Sequence, residues 1–402
     1  VTGKIIAGEQ TNITSEQHVD NRGLINSNGL THIGAGQTLT NTGTGKIYGN
    51  HIALNAQKLL NREETTEGST KAGAIAARKR LDIGAKEIHN QEGALLSSEG
   101  IFAIGNRLDE QHHAAGMADT FVNGSASLEV QGDALMSVRN MQNINNHFKT
   151  ETYLAKAEKQ VRDYTVLGQN TYYQAVKDGL FDNSHGKKDQ TTATFHLNNG
   201  SRIEANQWHV RDYHIETYKE RIIENRPAHI TVGGNLTASG QDWLNKDSRI
   251  VIGGRIITDD LNQKEITNQG TTGKGRTDAV GTQWDSVTEK GWYSGRKRQR
   301  RTEKNHTSYH DTQLFTHDFD TPVSVIQQNT ASPSFQPAAS AAKLIDGTST
   351  AAVNGQRIHT GNVVSLNNAT VLLPNSSLYT TNPDNKGWLV ETDPQFADYR
   401  RW

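Results

Sequence analysis

The stretch Ile52-Ala-Leu-Asn-Ala-Gln-Lys-Leu-Leu-Asn61 decides the fold of this 402-residue chain. Its pattern, Ile-x-Leu-x-Ala-x-x-Leu-x-Asn, returns as Leu81-x-Ile83-x-Ala85-x-x-Ile88-x-Asn90. Apolar residues that alternate over four or five positions, with a closing Asn or Gly, indicate a short strand rather than a helix. We expect these closing Asn and Gly residues to supply the left-handed backbone that a tight corner requires.

The pattern recurs about every 20 residues. Asn21, Asn41 and Asn61 are spaced by 20, and related apolar runs begin at Phe102, Leu128, Ile230 and Ile250. Repetition at this period is the signature of a solenoid, in which strands of successive coils lie about 4.8 Å apart. The sequence therefore predicts an all-β fold, a right-handed parallel β-helix with irregular, aromatic-rich excursions.

The composition agrees with a narrow core and restricts the function. Only 33% of the residues are apolar, and a stack of repeats needs less apolar volume than a compact domain. The net charge of −1 argues against nucleic-acid or anionic-membrane binding, and the lack of Cys removes disulfides, thiolate catalysis and Cys-based zinc sites. No apolar run approaches 18 residues, and Val1-Thr2-Gly3 shows no signal-peptide pattern. We expect an internal piece of a longer protein.

Two segments depart from the repeat. Residues 1–147 contain three aromatic residues, whereas 148–225 contain ten, and within 271–320 the run from Lys290 to Lys304 carries seven basic residues. The segment 150–162 fits a short helix or a long strand, and 329–357 has the composition of a linker. We expect β-helix repeats over 1–147, a modified region with insertions at 148–225 and 271–320 over 148–360, and a further segment over 361–402.

Two features carry a family resemblance. The Asn- and Gly-punctuated repeats resemble the filamentous-haemagglutinin repeats of two-partner secretion exoproteins. The runs Leu373-Pro-Asn-Ser-Ser-Leu-Tyr379 and Gly387-Trp-Leu-Val-Glu-Thr-Asp-Pro394 resemble a segment of contact-dependent growth inhibition toxins of the CdiA type. Together the matches cover about half the chain, which contains neither that family's N-terminal secretion domain nor a toxin domain.

The resemblance implies a non-catalytic role. The chain would be the distal filament and receptor-binding region of a secreted toxin-delivery protein on the surface of a Gram-negative bacterium. Its partners would be an outer-membrane protein or lipopolysaccharide of a neighbouring cell and, for the full-length chain, an outer-membrane secretion partner. We expect a monomer without cofactors, nucleic acid or membrane insertion by this fragment. One alternative is an adhesin of the same secretion class that binds host glycan or matrix.

The candidate receptor-binding residues are aromatic and basic, because Tyr, Trp and Arg supply most of the binding energy at protein interfaces. Most aromatics in the excursions are expected to pack on one another, and the remainder would form the surface. The basic run would steer the chain toward phosphates or acidic loops. The candidates are Trp208, Tyr213, Tyr218, Trp284, Trp292, Tyr293, Arg296, Lys297, Arg298, Arg300 and Arg301.

Metal and enzyme motifs are weak. His306 and His310 have i, i+4 spacing, but no HExxH glutamate accompanies them, so surface histidines are expected and no metal site. A second alternative is a polysaccharide-active β-helix enzyme. It would use the one close group of carboxylates, which comprises Asp242, Asp247, Asp259 and Asp260, although charged coil corners are the default interpretation.

Overall fold

The computed structural model describes residues 1–183, 192–262, 266–293 and 295–319, and six short strands between 324 and 391. Throughout this described part the chain is all-β and contains no helix, as the sequence predicts. A helix of the length and apolarity needed to cross a membrane is accordingly not found there. The segment 150–162, for which the sequence left helix and strand open, lies within a strand.

The chain forms two compact units. One, here called the parallel unit, comprises Val1–Lys149, Ile223–Thr271 and Asp320–Trp402; the other, the antiparallel unit, comprises Thr150–Ile222 and Thr272–Phe319. The segments of the antiparallel unit fall within 148–225 and 271–320, where the sequence departs from its repeat.

Most strands of the parallel unit belong to one large, mainly parallel sheet. Its strands and the short additional ones of this unit are Lys4–Ala7, Thr11–Ser15, His18–Asn21, Leu24–Ser27, Leu30–Ala35, Thr38–Thr42, Lys46–Thr66, Ser69–Ala72, Ala74–Gln91, Leu95–Ser98, Ile101–Gly105, Arg107–Leu108, Ala114–Ala115, Ala118–Gly124, Ser127–Val130, Ala134–Ile144, His229–Val232, Leu236–Gly240, Asp242–Lys246, Arg249–Ile252, Ile256–Leu261, Thr267–Gln269, Ser324–Gln327, Ala352–Val353, Gln356–Arg357, Val363–Ser365, Tyr379–Thr381 and Leu389–Glu391.

The parallel pairings follow three ladders. In the first, Ile25 is level with Ile47, which is level with Ile75, and the series continues through Leu96 and Leu128. The second ladder runs from Thr11–Ser15 to Ile256–Leu261, and the third from His18–Asn21 to Thr267–Gln269. This arrangement is consistent with the architecture of a β-helix.

The register continues across the first excursion. Leu128 is level with Ile230, and Met141 is level with Trp243, although about a hundred residues separate each pair. The excursion begins and ends at adjacent points of the parallel unit, because the Asn145 side chain donates to Asn225 at 2.6 Å. The aromatic-rich segment is therefore looped out of a sheet that resumes in register.

The core lies on one face of the three ladders. Ile52, Leu54, Leu81 and Ile83, which the sequence placed in a shared interior, are at most 1% exposed and belong to one cluster. Residues between them point to the opposite face, which matches the period of two in the sequence. Burial of each such side chain contributes about 1.5–3 kcal/mol.

Asparagine side chains form a buried column along the third ladder. Each Nδ2 donates to the Oδ1 of the next member at 2.6–2.9 Å, through Asn21, Asn41, Asn61, Asn90, Asn123, Asn143, Asn245 and Asn268. The prediction that these Asn residues adopt the left-handed conformation was wrong, since none has a positive φ. Gly43 and Gly93, two residues beyond Asn41 and three beyond Asn90, do adopt it, at φ 60° and 75°.

The antiparallel unit is built from long strands. Its strands are Lys149–Val166, Tyr173–Gln174, Gly179–Asp182, Ala193–Leu197, Arg202–Ala205, Trp208–Glu224, Gly273–Tyr293 and Arg296–His317. The last two form the long hairpin, which pairs through Gly273–Tyr293 with Trp208–Glu224, and that strand neighbours Lys149–Val166. A smaller three-stranded sheet contains Gly179–Asp182, Ala193–Leu197 and Arg202–Ala205.

Candidate recognition surface

The long hairpin extends past its neighbouring strand. Pairing with Trp208–Glu224 ends where Trp208 meets Ser286, but the two hairpin strands remain paired from Val287 opposite Thr302 up to Tyr293 opposite Arg296. Residues 287–302 therefore form a two-stranded segment, the basic arm, whose length is roughly 20 Å at the usual rise per residue. The arm contains every basic residue from Lys290 to Arg301.

The register of the arm brings the aromatic and basic candidates together. Trp292 lies opposite Lys297, and Tyr293 lies opposite Arg296. The aromatic pair and the first basic residues of the run therefore lie opposite each other near one hairpin tip. The tip turns through Gly295, whose φ of 76° is unfavourable for residues with a side chain.

Side chains of the arm differ in their availability. Trp292 is 71% exposed, which is unusual for the largest apolar side chain, and Arg300 is also exposed. Arg301 instead donates from Nη1 to the carbonyl and the hydroxyl of Ser286, at 3.1 Å each, and burial lowers its pKa. The side chains of Tyr293, Arg296, Lys297 and Arg298 lie outside the described part of the structure.

One ion pair joins the two strands of the long hairpin near the base of the arm. The Lys304 ammonium contacts the Glu289 carboxylate, and this hydrogen bond lowers the pKa of Glu289. The pair is exposed to solvent, so it contributes little to stability. It neutralises the one acidic residue that the arm carries in sequence, beside six basic residues between 287 and 302.

Three other candidate residues pack inside the antiparallel unit. Trp208 is fully buried and donates its indole N–H to the Ala205 carbonyl at 3.0 Å. Tyr213 is 9% exposed and donates its hydroxyl to Asp163, and Trp284 is 9% exposed, with the His306 ring stacked 5.5 Å away. These side chains stabilise the sheet and offer little surface to a partner.

Tyr218 occupies an intermediate position. Its hydroxyl donates to Glu216 at 2.6 Å, a bond that raises the pKa of Tyr218, and the Arg276 guanidinium lies 4.5 Å from its ring centroid. Arg276 is in turn bound to Asp278 at 2.9 Å. Tyr218 and Arg276 are therefore both bound to carboxylates of neighbouring residues, on a partly exposed face.

The residues weighed for metal binding and catalysis are dispersed. In the described ranges, no three His, Cys, Asp or Glu side chains are placed to hold a metal ion. Asp247 accepts hydrogen bonds from the backbone N–H and hydroxyl of Thr271, as expected for a charged corner. Asp259 and Asp260, with Met117 and Gln241, line an open cleft of about 440 Å³.

One cluster was missed by the sequence reasoning. Arg211 lies between the rings of Tyr172 and Tyr309, at 3.7 and 4.7 Å from the two ring centroids. The three residues come from separate parts of the chain, so spacing along the sequence carries no signal for them. The only hint was the concentration of aromatic residues in the two excursions.

Comparison of the chain with protein-family models, with curated proteins and with solved structures finds no match. The function therefore has to be argued from the two units and from the surfaces described above.

Proposed function

We propose that the protein is the filament and receptor-binding part of a secreted surface protein, and that the basic arm is its main recognition element. The three parallel ladders support interpretation of the parallel unit as a right-handed parallel β-helix. Such a stack is a scaffold, since each coil contacts only its neighbours and stays in register around insertions. Recognition would be left to the looped-out segments.

The proposal rests mainly on the arm. A two-stranded segment that extends beyond its sheet is marginally stable alone, and its tip exposes a tryptophan close in sequence to a run of basic residues. Packing of the sheet does not require these features. Exposed Trp and Arg are typical of protein interfaces, where the ring buries area and the guanidinium pairs with carboxylate or phosphate.

The charge of the arm indicates an acidic target. Phosphates of lipopolysaccharide and acidic extracellular loops of an outer-membrane protein both fit, and positive charge would accelerate encounter with either. With the resemblance to two-partner secretion exoproteins, this favours an outer-membrane component of a neighbouring bacterium as the receptor. The wider role in toxin delivery is part of the same proposal.

The test compares binding of purified variants to outer-membrane vesicles from Gram-negative cells. Changing Arg296, Lys297, Arg298, Arg300 and Arg301 to Ser should weaken binding at low salt by about tenfold or more, with a smaller difference at moderate salt. Trp292→Ser alone should weaken binding at both salt concentrations, because the loss is apolar contact.

A matched control removes the same charge elsewhere. Five exposed basic residues of the parallel unit, Arg62, Lys79, Lys86, Arg107 and Arg255, are changed to Ser together. We expect this variant to bind as the unmodified protein does. Equal loss in both variants would show a general charge effect and contradict the proposal, and binding only to host matrix or glycan would favour the adhesin.

A further inference from the structure

Four arginines of the antiparallel unit stack on aromatic rings, and three of them have a carboxylate partner. Arg162 lies over Trp284 and binds Asp212; Arg221 lies over Tyr153 and binds Glu151; Arg276 lies over Tyr218 and binds Asp278. In each case one ring covers a face of the guanidinium while its edge meets a carboxylate. This is the geometry in which a planar guanidinium uses both its face and its N–H donors.

Arg211 is the exception. Its guanidinium lies against two rings, Tyr172 and Tyr309, yet in the described part of the structure its side chain forms no ion pair and its Nε no hydrogen bond. Its Nε is buried and has no hydrogen-bond partner. Its two Nη atoms are not buried to the same extent. A partly buried charge that lacks a partner is costly, so a ligand that supplied one would be bound favourably.

The groups around Arg211 are already paired with one another. Gln283, level with Arg211 on the next strand, donates to the Thr307 hydroxyl at 3.2 Å. His209 is held by Asp285 at 2.8 Å, and Tyr213 donates to Asp163. None of these groups bonds to the guanidinium, whose Nε is buried without a hydrogen-bond partner in the described part of the structure.

We propose that the gap between the Tyr172 and Tyr309 rings, here called the arginine slot, binds the carboxylate of an aspartate or glutamate side chain of a partner protein. The rings confine a ligand to the plane of the guanidinium. A planar carboxylate can enter that plane and accept two parallel hydrogen bonds, whereas a tetrahedral phosphate is thicker and presents one oxygen out of the plane. The slot shares no residue with the basic arm, so this inference does not depend on the proposed function.

The experiment uses the full chain and a defined probe. A hexapeptide of alternating glutamate and serine is titrated while the side-chain Nε–H resonance of Arg211 is followed by NMR. We expect a saturable change in the chemical shift of this resonance with the glutamate peptide. A control hexapeptide with glutamine in place of each glutamate should cause no change. Inorganic phosphate at equal ionic strength should shift the resonance less.

Conservative variants separate the slot from folding. Binding of the glutamate peptide is measured by calorimetry for each, and the unfolding midpoint shows that each variant is folded. Arg211→Lys should weaken binding about tenfold, because the ammonium lacks the planar fork. Tyr172→Phe should bind normally because the ring remains, and Tyr172→Ala should bind weakly.

The matched control is Arg221→Lys, which alters a stacked arginine that already has a carboxylate, Glu151. It should leave peptide binding unchanged. Normal binding by Arg211→Lys, an equal response to the glutamine peptide, or stronger binding of phosphate than of the glutamate peptide would each overturn the proposal.

Discussion

At the scale of single residues, the buried asparagine column gives the most specific prediction about stability. Asn123 is fully buried, and its Nδ2 donates to Asn143 at 2.8 Å and to the carbonyls of Ala126 and His229. Asn123→Ala removes these donors and leaves buried acceptors unpaired. We expect the free energy of unfolding to fall by about 1–3 kcal/mol, measured by denaturant titration.

Asn55 is the matched control, because it lies in the same sheet but is exposed. Asn55→Ala should change the free energy of unfolding by less than about 0.5 kcal/mol. If both variants lost the same free energy of unfolding, the hydrogen bonds of the asparagine column would contribute nothing specific to stability.

The sequence predicted part of this column. The 20-residue spacing of Asn21, Asn41 and Asn61 is visible by eye, but its cause was assigned to the backbone conformation. Asparagine suits both a left-handed corner and a side-chain ladder, so residue type alone does not separate the two. The register between coils determines which of the two roles an asparagine has, and this register is known only from the three-dimensional structure.

At the scale of elements, a short hairpin covers part of the second ladder. Its strands are Arg107–Leu108 and Ala114–Ala115, and the Ala114 N–H donates to the buried carboxylate of Asp82 at 2.8 Å. The ring centroids of His112 and His32 lie 4.9 Å apart, and those of His113 and His51 lie 5.8 Å apart. Two histidine pairs therefore lie between the hairpin and the sheet.

These contacts predict a pH dependence. Burial, and then the nearby charge of His112, lowers the pKa of His32 below its ordinary value of 6.5. The folded state thus binds fewer protons than the unfolded state, so this contribution to stability is present above pH 6.5 and is lost as the pH falls below it. Amides of residues 107–115 should exchange with solvent faster at pH 5 than at pH 7.5, after correction for intrinsic rates.

His32→Gln is the informative variant, since it cannot gain a proton. Its pH-dependent increase in exchange should be smaller than that of the unmodified protein. An identical pH dependence in both proteins would show that His32 does not control the hairpin.

The elements of the excursions were only partly predictable. The rise in aromatic residues after 147 marks the place where the repeat stops, and the antiparallel unit begins at Thr150. The sequence could not show that residues 149–166 and 208–224 lie side by side, because that pairing joins distant parts of the chain. The same reason hid the arginine slot, whereas Trp292 and the basic run, close in sequence, were found together.

At the scale of the whole molecule, the central claim is that the parallel ladders continue across the looped-out segment Thr150–Ile222. Glu129 and Thr231 are level with each other on the face opposite the core, between Leu128 and Val130 on one strand and Ile230 and Val232 on the other. Neighbouring residues of parallel strands lie within the Cα separation that a disulfide needs. The chain has no Cys of its own, so an introduced pair reports on one contact alone.

The most direct measurement is therefore oxidation of the double variant Glu129→Cys/Thr231→Cys, with Glu129→Cys/His229→Cys as the control for a register shifted by two residues. We predict rapid and nearly complete formation of the 129–231 disulfide in the folded protein, detected by mass spectrometry of proteolytic fragments, and slow, incomplete formation of the 129–229 disulfide. Preferential formation of the 129–229 disulfide, or formation of neither under native conditions, would contradict a ladder that resumes in register after the excursion.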